Sequence, residues 1–142
     1  MLNLPDMERC ACGNLRKTTR VITQFYDKSL QSTGLRGTQC ALLRNISLHK
    51  NITIGELGDL LLMEQSTVTR NIGILKNHGF ITITIEKQDA RKKVIAITPI
   101  GERKLEETIP LWEQAQAQVE QLMEGKFDDF LKTLQSLNRL LK

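Results

Sequence analysis

The chain has 142 residues, 40% apolar and 25% charged, with a formal net charge of +4. That is about one domain with room for a real core, and it is too apolar for wholesale disorder. The longest stretch without Asp, Glu, Lys or Arg covers residues 77–85, far below the roughly 20 residues a membrane helix needs. Asp6 and Glu8 interrupt the opening residues, so no signal-like apolar run precedes the first helix. A cytoplasmic protein without a membrane partner is the expectation. Cys10, Cys12 and Cys40 are an odd number and too few for a disulfide framework. Aromatic residues, at 4%, are too scarce for a surface that stacks on unpaired bases. Charge is uneven along the chain: residues 1–50 carry a net +5, 51–62 a net −2, 63–104 a net +4 and 105–142 a net −3. A localised positive excess suits a polyanion bound through one surface.

Apolar residues recur at mostly helical spacing over residues 11–31, with Leu15, Ile22, Phe25, Tyr26 and Leu30, until Gly34 and Gly37 break the pattern. A short helix is expected over 38–47. Thr53-Ile54-Gly55-Glu56 has the form of a capping box, and Leu57, Leu60 and Leu61 then mark one stripe of a two-to-three-turn helix ending near Leu62. The next helix is expected from 64–66 to about 77, closed by His78-Gly79 with the glycine as left-handed cap. The period then falls to two: Ile81, Ile83 and Ile85 share one face of a strand and threonines the other. Residues 87–93 read as a polar, basic loop and 94–97 as the return strand of a hairpin. Thr98-Pro99 opens a long helix, cap followed by proline at the first helical position, bent near Pro110 and ending by Gly125. A last helix carries a wide apolar stripe of Phe127, Phe130, Leu131, Leu134, Leu137, Leu140 and Leu141. The expected fold is mainly α with a small β-hairpin (α+β): a winged helix-turn-helix.

In the helix after residue 64, Val68, Ile72 and Leu75 cluster within an arc of roughly 60° around the helix and must face inward. Opposite them lie Ser66, Arg70, Gly73 and Asn77, flanked by Gln65, Thr67, Thr69 and Lys76. Small hydroxyls, amides and one Arg, without bulky acids, suit entry into a major groove about 12 Å wide. Arg91, Lys92 and Lys93 at the hairpin tip would reach the adjacent minor groove or its phosphates, with Asp89 capping the turn or pairing with Arg91. The capped start at Thr53-Ile54 would hold a phosphate through backbone N–H groups. A protein-interaction module that does not read DNA is the rival reading. Cys10 and Cys12 lack zinc-ligand spacing to His49 or His78, and no phosphate-cradling loop or nucleophile elbow occurs. Neither a metal, a cofactor nor catalysis is expected.

From Gly34 to Glu107 the chain resembles the multiple-antibiotic-resistance regulator (MarR) family of bacterial winged-helix repressors. The residues that carry the resemblance are Gly34-Leu35, Gln39, Thr53-Ile54-Gly55-Glu56-Leu57, Ser66-Thr67-Val68-Thr69-Arg70-Asn71, Leu75, Gly79-Phe80, Asp89-Ala90-Arg91 and Ile97-Thr98-Pro99-Ile100-Gly101. The resemblance implies a homodimer on a palindromic operator, joined by N- and C-terminal dimerisation helices. These would be residues 5–33 and 99–142 around a DNA-binding lobe of about 36–98, all in one domain. It further implies control by a small aromatic or phenolic anion, for which Arg16 and Arg20 are candidate partners, or by cysteine oxidation. Cys12, fourteen residues before Tyr26, resembles the peroxide-sensing cysteine and a tyrosine partner of the organic-hydroperoxide branch. A thiolate at Cys10 or Cys12 would be favoured by the helix dipole and by Arg9 or Arg16. A direct thiol peroxidase is a third reading. Two departures stand out: Leu62 where the family has Gly, and Glu64 where it has Asp, a better helix cap.

Overall fold

Residues 1–142, apart from the side chain of Ala90, are described by a computed structural model. Six helices form: α1 (Ala11–Ser29), α2 (Gly37–Leu48), α3 (Ile54–Leu61), α4 (Gln65–Asn77), α5 (Pro99–Leu122) and α6 (Phe127–Leu141). Three strands, β1 (Ile52–Thr53), β2 (Ile81–Glu86) and β3 (Asp89–Ile97), make an antiparallel sheet in the order β1-β3-β2. Short 3₁₀ turns at Met7–Arg9 and Gln31–Thr33 flank α1.

The core of the lobe is built from the apolar stripes the sequence marks. Leu42, Leu43 and Ile46 of α2, Leu57 of α3 and Val68, Ile72 and Leu75 of α4 close on Ile81 of β2 and Ile95 of β3. The cap at Thr53 forms, its hydroxyl accepting the Glu56 N–H at 3.1 Å. Helix α4 ends in a Schellman motif: Phe80 N–H donates to the Leu75 carbonyl and Gly79 N–H to that of Lys76, with Gly79 at φ +78°.

Two expectations about the sheet need correction. The hairpin is one edge of a three-stranded sheet, because Ile52 and Thr53 pair with Ile95 and Val94; a two-residue strand is too short to show a period. The segment 87–93 is not a loop. Strand β3 starts at Asp89, leaving only Lys87-Gln88 in the turn, and the ladder slips between Ile85↔Lys93 and Glu86↔Asp89 so that Arg91 and Lys92 fall in the irregularity. Ladder hydrogen bonds are made by the backbone, so a charged side-chain run does not prevent them.

The turn between α3 and α4 is a second Schellman motif, and Leu62 occupies its left-handed position at φ 53°, ψ 40°. A leucine there costs roughly 1–2 kcal/mol, and at 55% exposure it recovers little by burial. Leu62→Gly is therefore expected to stabilise the chain by about 0.5–1 kcal/mol after the extra unfolded-state entropy of glycine is set against the relieved strain. Thermal melts beside Leu62→Ala, which keeps the strain, check this.

The start of α5 is bolted to the end of α4. The Thr98 hydroxyl donates to the Gly79 carbonyl at 2.6 Å and accepts the Gly101 N–H at 3.0 Å, while Thr98 N–H donates to the Phe80 carbonyl at 3.0 Å. Lys104 adds a bond to the Thr33 carbonyl at 3.2 Å and an ion pair with Glu107. In contrast, no residue of α1 or α6 is buried. No helix among the described residues is long and apolar enough to cross a membrane.

Candidate nucleic-acid interface and effector cavity

Helix α4 presents two chemically opposite sides. Val68, Ile72 and Leu75 are buried, and Asn71 is also buried, its amide donating to the Thr67 carbonyl at 2.9 Å. Gln65, Ser66, Thr69, Arg70 and Lys76 are exposed, and Thr67 is half-buried. At Gly73 an added Cβ would meet nothing within 4 Å, so the outer face stays low there. Glu64 stands at the cap position without a side-chain capping bond, in line with the weaker capping expected of Glu.

The wing is β2, its two-residue turn and β3. Asp89 takes the turn-capping role of the two expected for it: its Oδ1 accepts the Arg91 backbone N–H at 3.0 Å. Arg91, Lys92 and Lys93 are exposed. Lys104–Glu107 is the one ion pair among the described residues, so no cation of α4 or of the wing is held in an internal ion pair. At Thr53-Ile54 the hydroxyl of Thr53 satisfies one N–H of α3, and the isoleucine side chain packs on the core.

The redox candidates are not assembled within one chain. Cys10 caps α1, its sulfur accepting the Gly13 N–H at 3.4 Å, and Cys12 is exposed two residues later. Tyr26 lies fourteen residues further along the same helix, about 21 Å away at 1.5 Å per residue. Its hydroxyl donates to Gln116 Oε1 of α5 at 2.6 Å, and burial, then the negative charge of Glu120, pushes its pKa above the ordinary phenol value. An intrachain Cys12–Tyr26 partnership is thereby excluded.

A cavity of about 850 Å³ lies between α1, α2 and α5. Ile22, Tyr26, Leu30, Leu61, Leu105 and Trp112 supply much of its wall, with Cys40 and Thr108 joined by a thiol–hydroxyl bond at 3.4 Å. Arg16 and Arg20, expected to meet an anionic ligand, do not line it; they lie exposed nearer the start of α1. The cation that does line it is Arg44 of α2. Its walls bring α1 and α2, with Leu61 of α3, against the much later α5, so no local pattern marked Arg44, Trp112 or Glu113.

A model of the MarR family matches residues 33–92, the segment from the 3₁₀ turn after α1 through the recognition helix and into the wing. Over nearly the whole fold the chain is also 30% identical to the transcriptional regulator MosR of M. tuberculosis, solved in complex with DNA, with a TM-score of 0.82 over 94% of this chain and 99% of that one. The chain belongs to the MarR family. It is a DNA-binding transcriptional regulator with the winged helix-turn-helix of that family. Two Bacillus subtilis proteins are similar over part of their length. The uncharacterised HTH-type transcriptional regulator YwoH is 28% identical over 66% of this chain and 67% of its own. The organic hydroperoxide resistance transcriptional regulator is 24% identical over 67% of this chain and 65% of its own.

Proposed function

We propose that this MarR-family regulator is a homodimeric repressor of a palindromic duplex operator, released when a small aromatic effector or cysteine oxidation alters the spacing of its two recognition helices. The observation that carries the reading is the combination, in one lobe, of a low, small-polar face on α4 and a wing whose cations have no internal partner. Gln65, Ser66, Thr67, Thr69 and Arg70 would meet base edges or the phosphates beside them, Arg pairing with guanine and Gln with adenine. Lys76 and the backbone at Thr53-Ile54 hold phosphates. Arg91 and Lys92 grip the next minor groove, with Asp89 fixing the backbone of Arg91. Residues 36–98 form the reading lobe, and 5–33 with 99–142 the dimerisation helices.

A second copy is supported by the apolar stripe of α6, half-buried from Phe127 to Leu134 and exposed at Leu137, Leu140 and Leu141, and by exposed Met1, Leu2, Leu4 and Met7 ahead of α1. Two-fold symmetry would set the recognition helices about 34–36 Å apart. The cavity supports the effector arm, since any ligand wedged between α1, α2 and α5 acts on the junction that orients the lobe. The exposed Cys12 beside Cys10 supports the oxidation arm.

Salt titration of duplex affinity tests the reading. With about five phosphate contacts per protomer, log affinity should fall against log salt with a slope near −9 for the dimer. Arg91→Ala should weaken all duplexes alike and flatten the slope by about 1 per protomer. Arg70→Ala should cost about 1–3 kcal/mol per half-site and relax preference at one base pair. A flat salt response together with full binding by Arg91→Ala would leave the interaction-module reading in its place.

A further inference from the structure

The cavity bounded by α1, α2 and α5 carries more negative than positive charge and two aromatic walls. Asp27 of α1 and Glu113 of α5 supply carboxylates, Arg44 of α2 is the single cation among the lining residues, and Tyr26 and Trp112 supply the rings. None of the three charges belongs to an ion pair among the described residues. Asp27 Oδ1 accepts the Gly37 N–H at 2.7 Å, and a neutral donor leaves its charge in place. The Tyr26 phenol, already raised by burial, is raised further by Glu120, so a third carboxylate acts on the same wall.

We propose that the effector taken by this cavity is a flat aromatic bearing one positive charge, rather than an aromatic carboxylate or phenolate. This rests on the regulator reading above and specifies its ligand. A cavity of about 850 Å³ falls within the roughly 300–1,000 Å³ usual for small-molecule sites. A ring cation gains from the aromatic rings of Tyr26 and Trp112 that line the cavity and from the carboxylates of Asp27 and Glu113. An anion of the same size gives up its hydration beside two like charges, with Arg44 alone to offset the loss.

Trp112 is the only tryptophan in the chain and lines the cavity, so its fluorescence reports occupancy directly. N-methylquinolinium and quinoline-2-carboxylate, close in size and opposite in sign, are titrated into the full chain without DNA. The cation should bind at least tenfold more tightly. Glu113→Gln should weaken the cation about three- to tenfold, and Arg44→Gln should tighten it; both side chains are exposed, so melting curves should match the parent. Equal or tighter binding of the carboxylate, loss of carboxylate binding alone in Arg44→Gln, or no response of Trp112 to either probe overturns the proposal. Because DNA is absent, a chain that passes the salt titration but prefers the carboxylate rejects only the ligand assignment.

Discussion

Gly101→Ala is expected to lower stability by about 3 kcal/mol or more, a fall in melting temperature of about 10 °C for a chain of this size. A Cβ at Gly101 would land on the carbonyl oxygen of Phe80 and approach Ile97 Cγ1 to 2.9 Å. A flexible side chain would yield at small cost. This obstacle is backbone, and the same carbonyl already accepts the Thr98 N–H. Relief therefore requires α5 to move away from the α4–β2 junction, breaking the Thr98 bonds to Gly79 and Phe80. The control is Gly73→Ala, where an added Cβ meets nothing. There, helix propensity alone should raise stability by about 1 kcal/mol, while the added methyl fills the low outer face of α4 and weakens duplex binding. Chemical denaturation of both variants beside the parent separates the two effects. Equal stabilities for Gly101→Ala and the parent would mean that the α4–α5 junction is looser than its hydrogen bonds indicate.

The same junction explains why so much of the architecture was legible in the chain. The caps formed by Thr53 and Thr98 and the left-handed turn at Gly79 each act within a few residues, and such chemistry is written locally, whereas the Thr98 bonds to Gly79 and Phe80 are not. The stripe of Val68, Ile72 and Leu75 needs no partner to be recognised, only a period. What escaped depends on contacts distant in sequence. Strand β1 exists because Ile52 and Thr53 find Ile95 and Val94. The first half of β3 was hidden because its side chains read as a solvated loop while its backbone pairs. Leu62 adopts the backbone angles the family pattern assigns to glycine, so the geometry of the turn is kept and the strain is what the substitution adds. The cavity is the extreme case. Arg16 and Arg20 are marked only by their neighbourhood on α1, whereas the cation at the cavity is Arg44, brought there by the packing of α2 against α5.

Leu134→Asp combined with Leu137→Asp should convert the proposed dimer to monomers and reduce operator affinity by at least a thousandfold. Helix α6 has Phe127, Phe130, Leu131, Leu134 and Leu137 along one side, with Leu141 83% exposed at its end, and no residue of it is buried in its own chain. Such a stripe has two fates, aggregation or coverage, and self-complementary coverage by a second copy forms a closed two-fold pair. Two carboxylates in the middle of that contact would be desolvated without partners, a cost far above the burial they replace. The reading lobe should be untouched, since its core of α2–α4 and the sheet contains nothing from α6. Its melting transition should persist in the variant. Operator affinity, however, depends on two recognition helices acting as one body. A lone lobe keeps only its own contacts, so the slope of log affinity against log salt should fall from near −9 to about half that value. Sedimentation and salt titration on the same sample check both halves of the expectation. A double variant that stays dimeric and retains the full slope would place the two-fold contact elsewhere than α6.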